Sequence, residues 1–84
     1  MNKTYKPYDL TDRLTQTALI KCAVEHKETK KLVQIRGFKI VAGEVMVLLR
    51  GEFLKAITAQ ELVDNYVYLN TGEPCGIAIG ESHE

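Results

Sequence analysis

Three observations predict an α+β fold made mainly of antiparallel β-structure. The expected architecture is a small meander or SH3/Sm-like barrel, with one short helix in the C-terminal half and a terminal hairpin. Apolar runs of strand length fill residues 32–57, short glycine-containing segments separate them, and a helix-capping pattern begins at Thr58. Loops this short join antiparallel neighbours, because parallel pairing needs a crossover for which the segment has no room.

At 84 residues the chain is expected to form one small globular domain over 1–84, with 1–9 and 81–84 as flexible ends. A domain of this size buries only roughly 60–65% of its unfolded surface, so its stability is expected to be modest unless it self-associates. The 45% apolar and 26% charged composition is that of a packed globular protein, not a disordered chain.

In chain order, the first expected element is a short helical turn around residues 10–16. A strand should follow, because Ala18, Ile20, Cys22 and Val24 alternate with Leu19, Lys21, Ala23 and Glu25. The polar run from His26 to Lys31 reads as a hairpin connection. Beyond it Val33 and Ile35 share one face, while Phe38 and Ile40 have the opposite parity. A slip of one residue turns every later side chain over, so 32–41 is expected to be one strand bulged at Gly37. Ala42-Gly43-Glu44 and Arg50-Gly51-Glu52 are the turns that separate it from strands over 45–49 and 53–57.

Thr58-Ala59-Gln60-Glu61 has the spacing of a capping box and should start a helix of about two turns. Leu62, Val63 and Tyr66 would form its apolar side, with Asp64 and Asn65 in water. Val67-Tyr68-Leu69 and Gly76-Ile77-Ala78-Ile79, joined through Asn70 to Pro74, then read as the terminal hairpin.

Charge is balanced overall but segregated along the chain. All eleven Lys and Arg lie in residues 1–55, beside six acids, for a net +5; residues 56–84 hold five acids and no base, for −5. Such a split can give a dipolar surface that selects complementary partners. The opening residues show neither an apolar run nor a small-residue cleavage pattern, and no apolar run approaches the ~20 residues of a membrane span. A cytoplasmic protein without a membrane role is the expectation.

Little in the sequence points to chemistry. Cys22 and Cys75 belong to no CxxC motif and are expected to be free thiols; no metal or cofactor is expected. Cys22 and His26 would share a strand face but stand ~13 Å apart, too far for one ion. Cys75 in Pro-Cys-Gly could expose its thiol on a turn, yet it lacks a neighbouring base in sequence, and His83 lies near the chain end. Gly72, Gly76 and Gly80 do not feed a helix as a phosphate loop would. Neither Asp9 with Asp12 nor Glu44 with Glu52 has the setting of an acid/base pair. The chain is therefore expected not to be an enzyme.

Two binding surfaces remain. Tyr66, Tyr68, Glu61 and Asp64 would form a partner-binding face where the capped helix meets the terminal hairpin, since tyrosine combines a broad apolar ring with a polar tip. Lys27, Lys30, Lys31, Arg36 and Lys39 would form the alternative, a nucleic-acid-binding groove that neutralises phosphates. Glu25 and Glu28 weaken that cluster, and Phe38 is the only aromatic within it.

The opening residues Asn2, Thr4, Tyr5 and Pro7, followed by a short helical piece and a small antiparallel barrel in about the same length, give an order that resembles the bacterial Rho-binding antiterminator proteins. The resemblance implies an Sm-like barrel and a role in binding the termination factor so as to block its RNA site. The acidic character of those proteins is missing from the first two-thirds of this chain, and no functional residue carries over. The expected function is that of a small non-enzymatic binding or regulatory protein, phage-like or mobile-element-like in its economy, acting on a protein partner or on a second copy of itself. The alternative is a small-barrel nucleic-acid binder.

Overall fold

The computed structural model describes residues 4–79. Strand β1 (Thr4–Lys6) leads to helix α1 (Arg13–Leu19), followed by strands β2 (Ala23–His26), β3 (Leu32–Val41), β4 (Glu44–Arg50) and β5 (Leu54–Ile57). Helix α2 (Ala59–Asn65) runs directly into β6 (Tyr66–Tyr68), and β7 (Ile77–Ile79) ends the described chain. All pairings are antiparallel. A five-stranded sheet has the order β5-β4-β3-β2-β6, and β1 pairs with β7 in a separate two-stranded sheet.

The expected α+β class and the meander of β3, β4 and β5 are present, but the sheet does not close into a barrel. At one end β5 lies unpaired on its outer side. At the other, the far side of β6 meets only a bridge from Val67 to Pro74. The second layer comes instead from α1, α2 and the chain around Cys75. Their Leu19, Leu62 and Cys75, with Leu10 from the segment before α1, join Val24, Ile35, Val47, Leu49, Ile57 and Tyr66 in one buried cluster. With strands of only four and three residues at its ends, the sheet has little edge with which to close.

Helix α1 lies about three residues later than expected and displaces the start of the following strand. Asp12 caps it, accepting from the Thr15 amide at 3.1 Å and the Thr15 hydroxyl at 2.8 Å. The helix ends at Leu19, and Lys21 takes a left-handed φ of 72° that turns the chain into β2. Residues 18–21 are therefore helix and turn, not strand. Leu19 is buried and Ile20 exposed, which reverses the faces the alternation implied.

Strand β3 carries the expected bulge. Ile35 pairs with Leu49 and Gly37 with Leu48, leaving Arg36 as the extra residue. The shift places Ile35 and Phe38 on the same face, opposite Leu49 and Val47. The hairpin to β4 turns on Ala42 and Gly43, both at positive φ (52° and 82°), the geometry that matches the twist of two-residue hairpins.

The capping box forms as the spacing requires: Thr58 Oγ1 accepts from the Glu61 amide at 3.0 Å, and Glu61 Oε1 from the Thr58 amide at 3.0 Å. Leu62 and Val63 point into the core.

The terminal hairpin does not form as expected. Tyr68 donates its amide to Glu73 and Cys75 donates to Tyr66, so the chain does turn back along β6. After Pro74 it leaves, and Ile77–Ile79 pairs with Thr4–Lys6 instead. Gly76 permits the crossing, since a Cβ there would stand 2.6 Å from the Lys6 carbonyl and collide with Val63. Of the ends expected to be flexible, 1–3 and 81–84 lie outside the described residues, while Thr4–Lys6 is a strand. No helix among the described residues is long and apolar enough to cross a membrane.

Candidate partner-binding surface

The unpaired edge at β5 adjoins three exposed apolar side chains. Phe53, in the turn before β5, is 81% exposed; Leu54 is 65% and Leu32 56% exposed. Phe53 and Leu32 stand on either side of an open groove of about 560 Å³ whose walls include Val33, Leu49 and Tyr66, with Lys31 and Lys55 at its margins. Side chains of this kind are placed by sheet register. Val33 and Leu49 lie on the core-facing side, and the Gly51 turn packs closely on Val33, where an added Cβ would come within 2.8 Å of Cγ1.

Local bonds hold the rim opposite β5. His26 Nδ1 accepts from the amides of Glu28 and Thr29 at 3.1 and 3.3 Å, and its ring meets Tyr66 edge-on at 5.0 Å. The Lys27 amide donates to the Asn65 carbonyl at 2.8 Å, tying the turn to the end of α2. Across the groove Lys31 and Glu52 pair at 3.7 Å. With side chains 71% and 76% exposed, this ion pair contributes little stability and yields readily to a ligand.

The four residues expected to form a partner-binding face do not make one surface. Tyr66 is a core residue, 6% exposed, because β6 turns its Tyr66 and Tyr68 side toward the helices. Tyr68 is half-buried, with its hydroxyl 2.7 Å from that of Tyr8. Burial raises the Tyr66 phenol above its usual range, with the Glu61 carboxylate adding to the effect. Burial also raises Tyr68, and its hydrogen bond to Tyr8 reinforces the shift. Glu61 and Asp64 are exposed on α2, but Glu61 is engaged in the cap and Asp64 accepts from Gln60 at 3.0 Å.

The five basic residues of the alternative surface separate into two groups. Lys27, Lys30 and Lys31 occupy or border the β2–β3 turn, where Lys30 takes a φ of 64°. Arg36 projects from the bulge toward Leu48, Arg50 and Leu54, and Lys39, opposite Met46, shares that outer face. Arg50 was absent from the sequence-based set. The register that sets it opposite Gln34 depends on the bulge and the turn together.

Cys75 is fully buried, so the turn that could have exposed its thiol does not do so. Desolvation pushes its thiol up to about 12, with Cys22 contributing to the rise. Both cysteines are free. Cys22 is half-buried just before β2, its Sγ 3.3 Å from the Ala18 carbonyl oxygen. Among the described residues no three His, Cys, Asp or Glu side chains gather as metal ligands; His83 and Gly80 lie outside the described residues.

Phe53 and Leu54 were the residues that sequence reading overlooked as a surface. Their signal was available: two apolar neighbours in an extended segment have opposite parity, so both cannot face one core. Compared with protein-family models, with curated proteins and with solved structures, the chain matches none.

Proposed function

We propose that this chain is a small non-enzymatic binding protein of the cytoplasm that regulates a protein partner by engaging it at the β5 edge and the adjoining groove. The observation that carries this reading is the coincidence of an unpaired edge strand with exposed Phe53, Leu54 and Leu32. An open edge offers main-chain hydrogen bonds, and neighbouring apolar side chains offer the desolvated contacts in which binding energy concentrates.

Affinity capture from the source cell tests the reading. The expected outcome is a partner that co-purifies with the wild-type chain and is lost when Phe53→Ser and Leu32→Ser are combined, with the circular-dichroism spectrum unchanged. Identical capture by both forms would place binding elsewhere.

A nucleic-acid binder is the second reading, favoured by the exposed Lys27, Lys30 and Lys31 at one end of the sheet. It requires labelled RNA or DNA to bind with a steep salt dependence that weakens in Lys30→Ala/Lys31→Ala. Absence of binding at low salt would remove it.

A further inference from the structure

The groove beside β5 has apolar walls, and its polar groups are mostly donors. Tyr66 lines it and is only 6% exposed, yet its hydroxyl has no hydrogen-bond partner among the described residues and is not sealed from water. A phenol so nearly enclosed ordinarily finds a partner. Burial and the Glu61 carboxylate both hold it protonated, so it stands as a donor without an acceptor. His26 adds a second donor. Its Nδ1 accepts two turn amides, which leaves the proton of the neutral ring on Nε2.

Three charged side chains stand on the walls. Lys31 and Glu52 pair at 3.7 Å, while Lys55 has no carboxylate within ion-pair distance among the described residues. The groove therefore carries one cation in excess, and its one carboxylate has a cation of its own. Donors and an unpaired cation among apolar walls select a ligand with an apolar body and an anionic acceptor at its end.

The neighbouring edge narrows the class further. Leu54 to Ile57 pair with β4 on one side only, so alternate main-chain N–H and C=O groups of β5 point outward, and a polypeptide is the ligand that satisfies a row of them. Lys55, opposite Leu49, faces the groove from that edge.

We propose that the groove receives the carboxyl terminus of the partner: its last residues add as a strand beside β5, the terminal side chain enters between Phe53 and Leu32 over Val33 and Leu49, and the terminal carboxylate meets Lys55 and the Tyr66 hydroxyl. The added strand runs antiparallel to β5, because its end lies at the Phe53 end of the edge. This assignment rests on the protein-binding reading of the same edge and names the part of the partner that the edge takes.

The test is fluorescence anisotropy on the full chain with short labelled peptides of alternating Thr and Val that end in Val, Leu or Phe, each made as the free acid and as the C-terminal amide. At least one acid should bind, and its amide should bind about tenfold or more weakly. In Lys55→Met and in Tyr66→Phe the acid should weaken while the amide does not, so the gap between them narrows; Lys55, exposed on the edge, keeps the comparison valid if Tyr66→Phe disturbs the core. Leu32→Ser should weaken both forms. The assignment is overturned if acid and amide bind the wild type alike, if no peptide binds, or if Lys55→Met leaves the gap unchanged. Decanoate binding more tightly than every peptide would also overturn it, since the site would then hold a free apolar acid. If acid and amide bind alike while partner capture is still lost on combining Phe53→Ser with Leu32→Ser, the edge reading stands and the carboxylate assignment alone fails.

Discussion

The hydroxyls of Tyr8 and Tyr68 meet at 2.7 Å, joining the segment between β1 and α1 to the end of β6 across sixty positions of sequence. Burial raises both phenols above the usual tyrosine range, so each remains a protonated hydrogen-bonding group. Removing one hydroxyl leaves the other half-buried without its partner. Tyr68→Phe is expected to cost about 1 kcal/mol in urea unfolding, and Tyr8→Phe a similar amount. The double variant should cost less than the two singles together, because the second substitution removes a group already orphaned.

Gly76 and Gly37 should respond oppositely to alanine. A Cβ at Gly76 meets Val63 and stands 2.6 Å from the Lys6 carbonyl, where backbone cannot yield without separating β7 from β1; around Gly37 there is nothing within 4 Å. Gly76→Ala is expected to destabilise by about 2 kcal/mol or more through overpacking. Gly37→Ala should change stability by less than about 1 kcal/mol. Thermal unfolding of the pair checks both.

Ala42 holds a left-handed φ of 52° in the β3–β4 turn, a conformation that costs a residue with a Cβ about 1 kcal/mol. Asparagine tolerates it better, and Asn-Gly is the preferred pair for this turn. Ala42→Asn should raise the unfolding midpoint by an amount corresponding to about 0.5–1 kcal/mol.

The thiols should differ in reactivity and in their effect on alkaline stability. In the native protein a thiol reagent should modify Cys22 and spare the fully buried Cys75, with both reacting after denaturation. Cys75 has its folded value raised to about 12 from 9.0, so the unfolded chain releases this proton first as pH climbs. Its stabilising contribution is complete below about pH 9 and falls through the interval up to about 12. The raised phenols of Tyr8, Tyr66 and Tyr68 act in the same direction from about pH 10 upward. Cys75→Ala, although less stable near neutrality, should lose less stability between pH 9 and 11.

What the sequence made legible was local. The bulge at Gly37 follows from a parity change within one strand, and the Thr58–Glu61 cap from a spacing of three. The extent of α1 was hidden because Ala18 to Glu25 satisfies a strand alternation as well as a helical stripe, and Leu19, on the wrong parity for that alternation, fills the core. The partnership of Thr4–Lys6 with Ile77–Ile79 joins opposite ends of the described chain, and no turn signal announces it. Closure of the sheet was equally beyond local pattern, because it depends on how α1 and α2 cover the face between β5 and β6. The same problem misplaced the tyrosines. Tyr66 and Tyr68 share a strand face, but only the tertiary fold decides that this face is the covered one.

Partner binding at this surface depends most on β5 being a free edge, and amide hydrogen exchange followed residue by residue by NMR tests that directly. Amides of Leu54–Ile57 that do not bond to β4 should exchange orders of magnitude faster than the doubly paired amides of β3, with no cross-strand contacts from β5 to any strand but β4. Protection along all of β5 equal to that of β3, or contacts joining β5 to β6, would mean a closed barrel and contradict it.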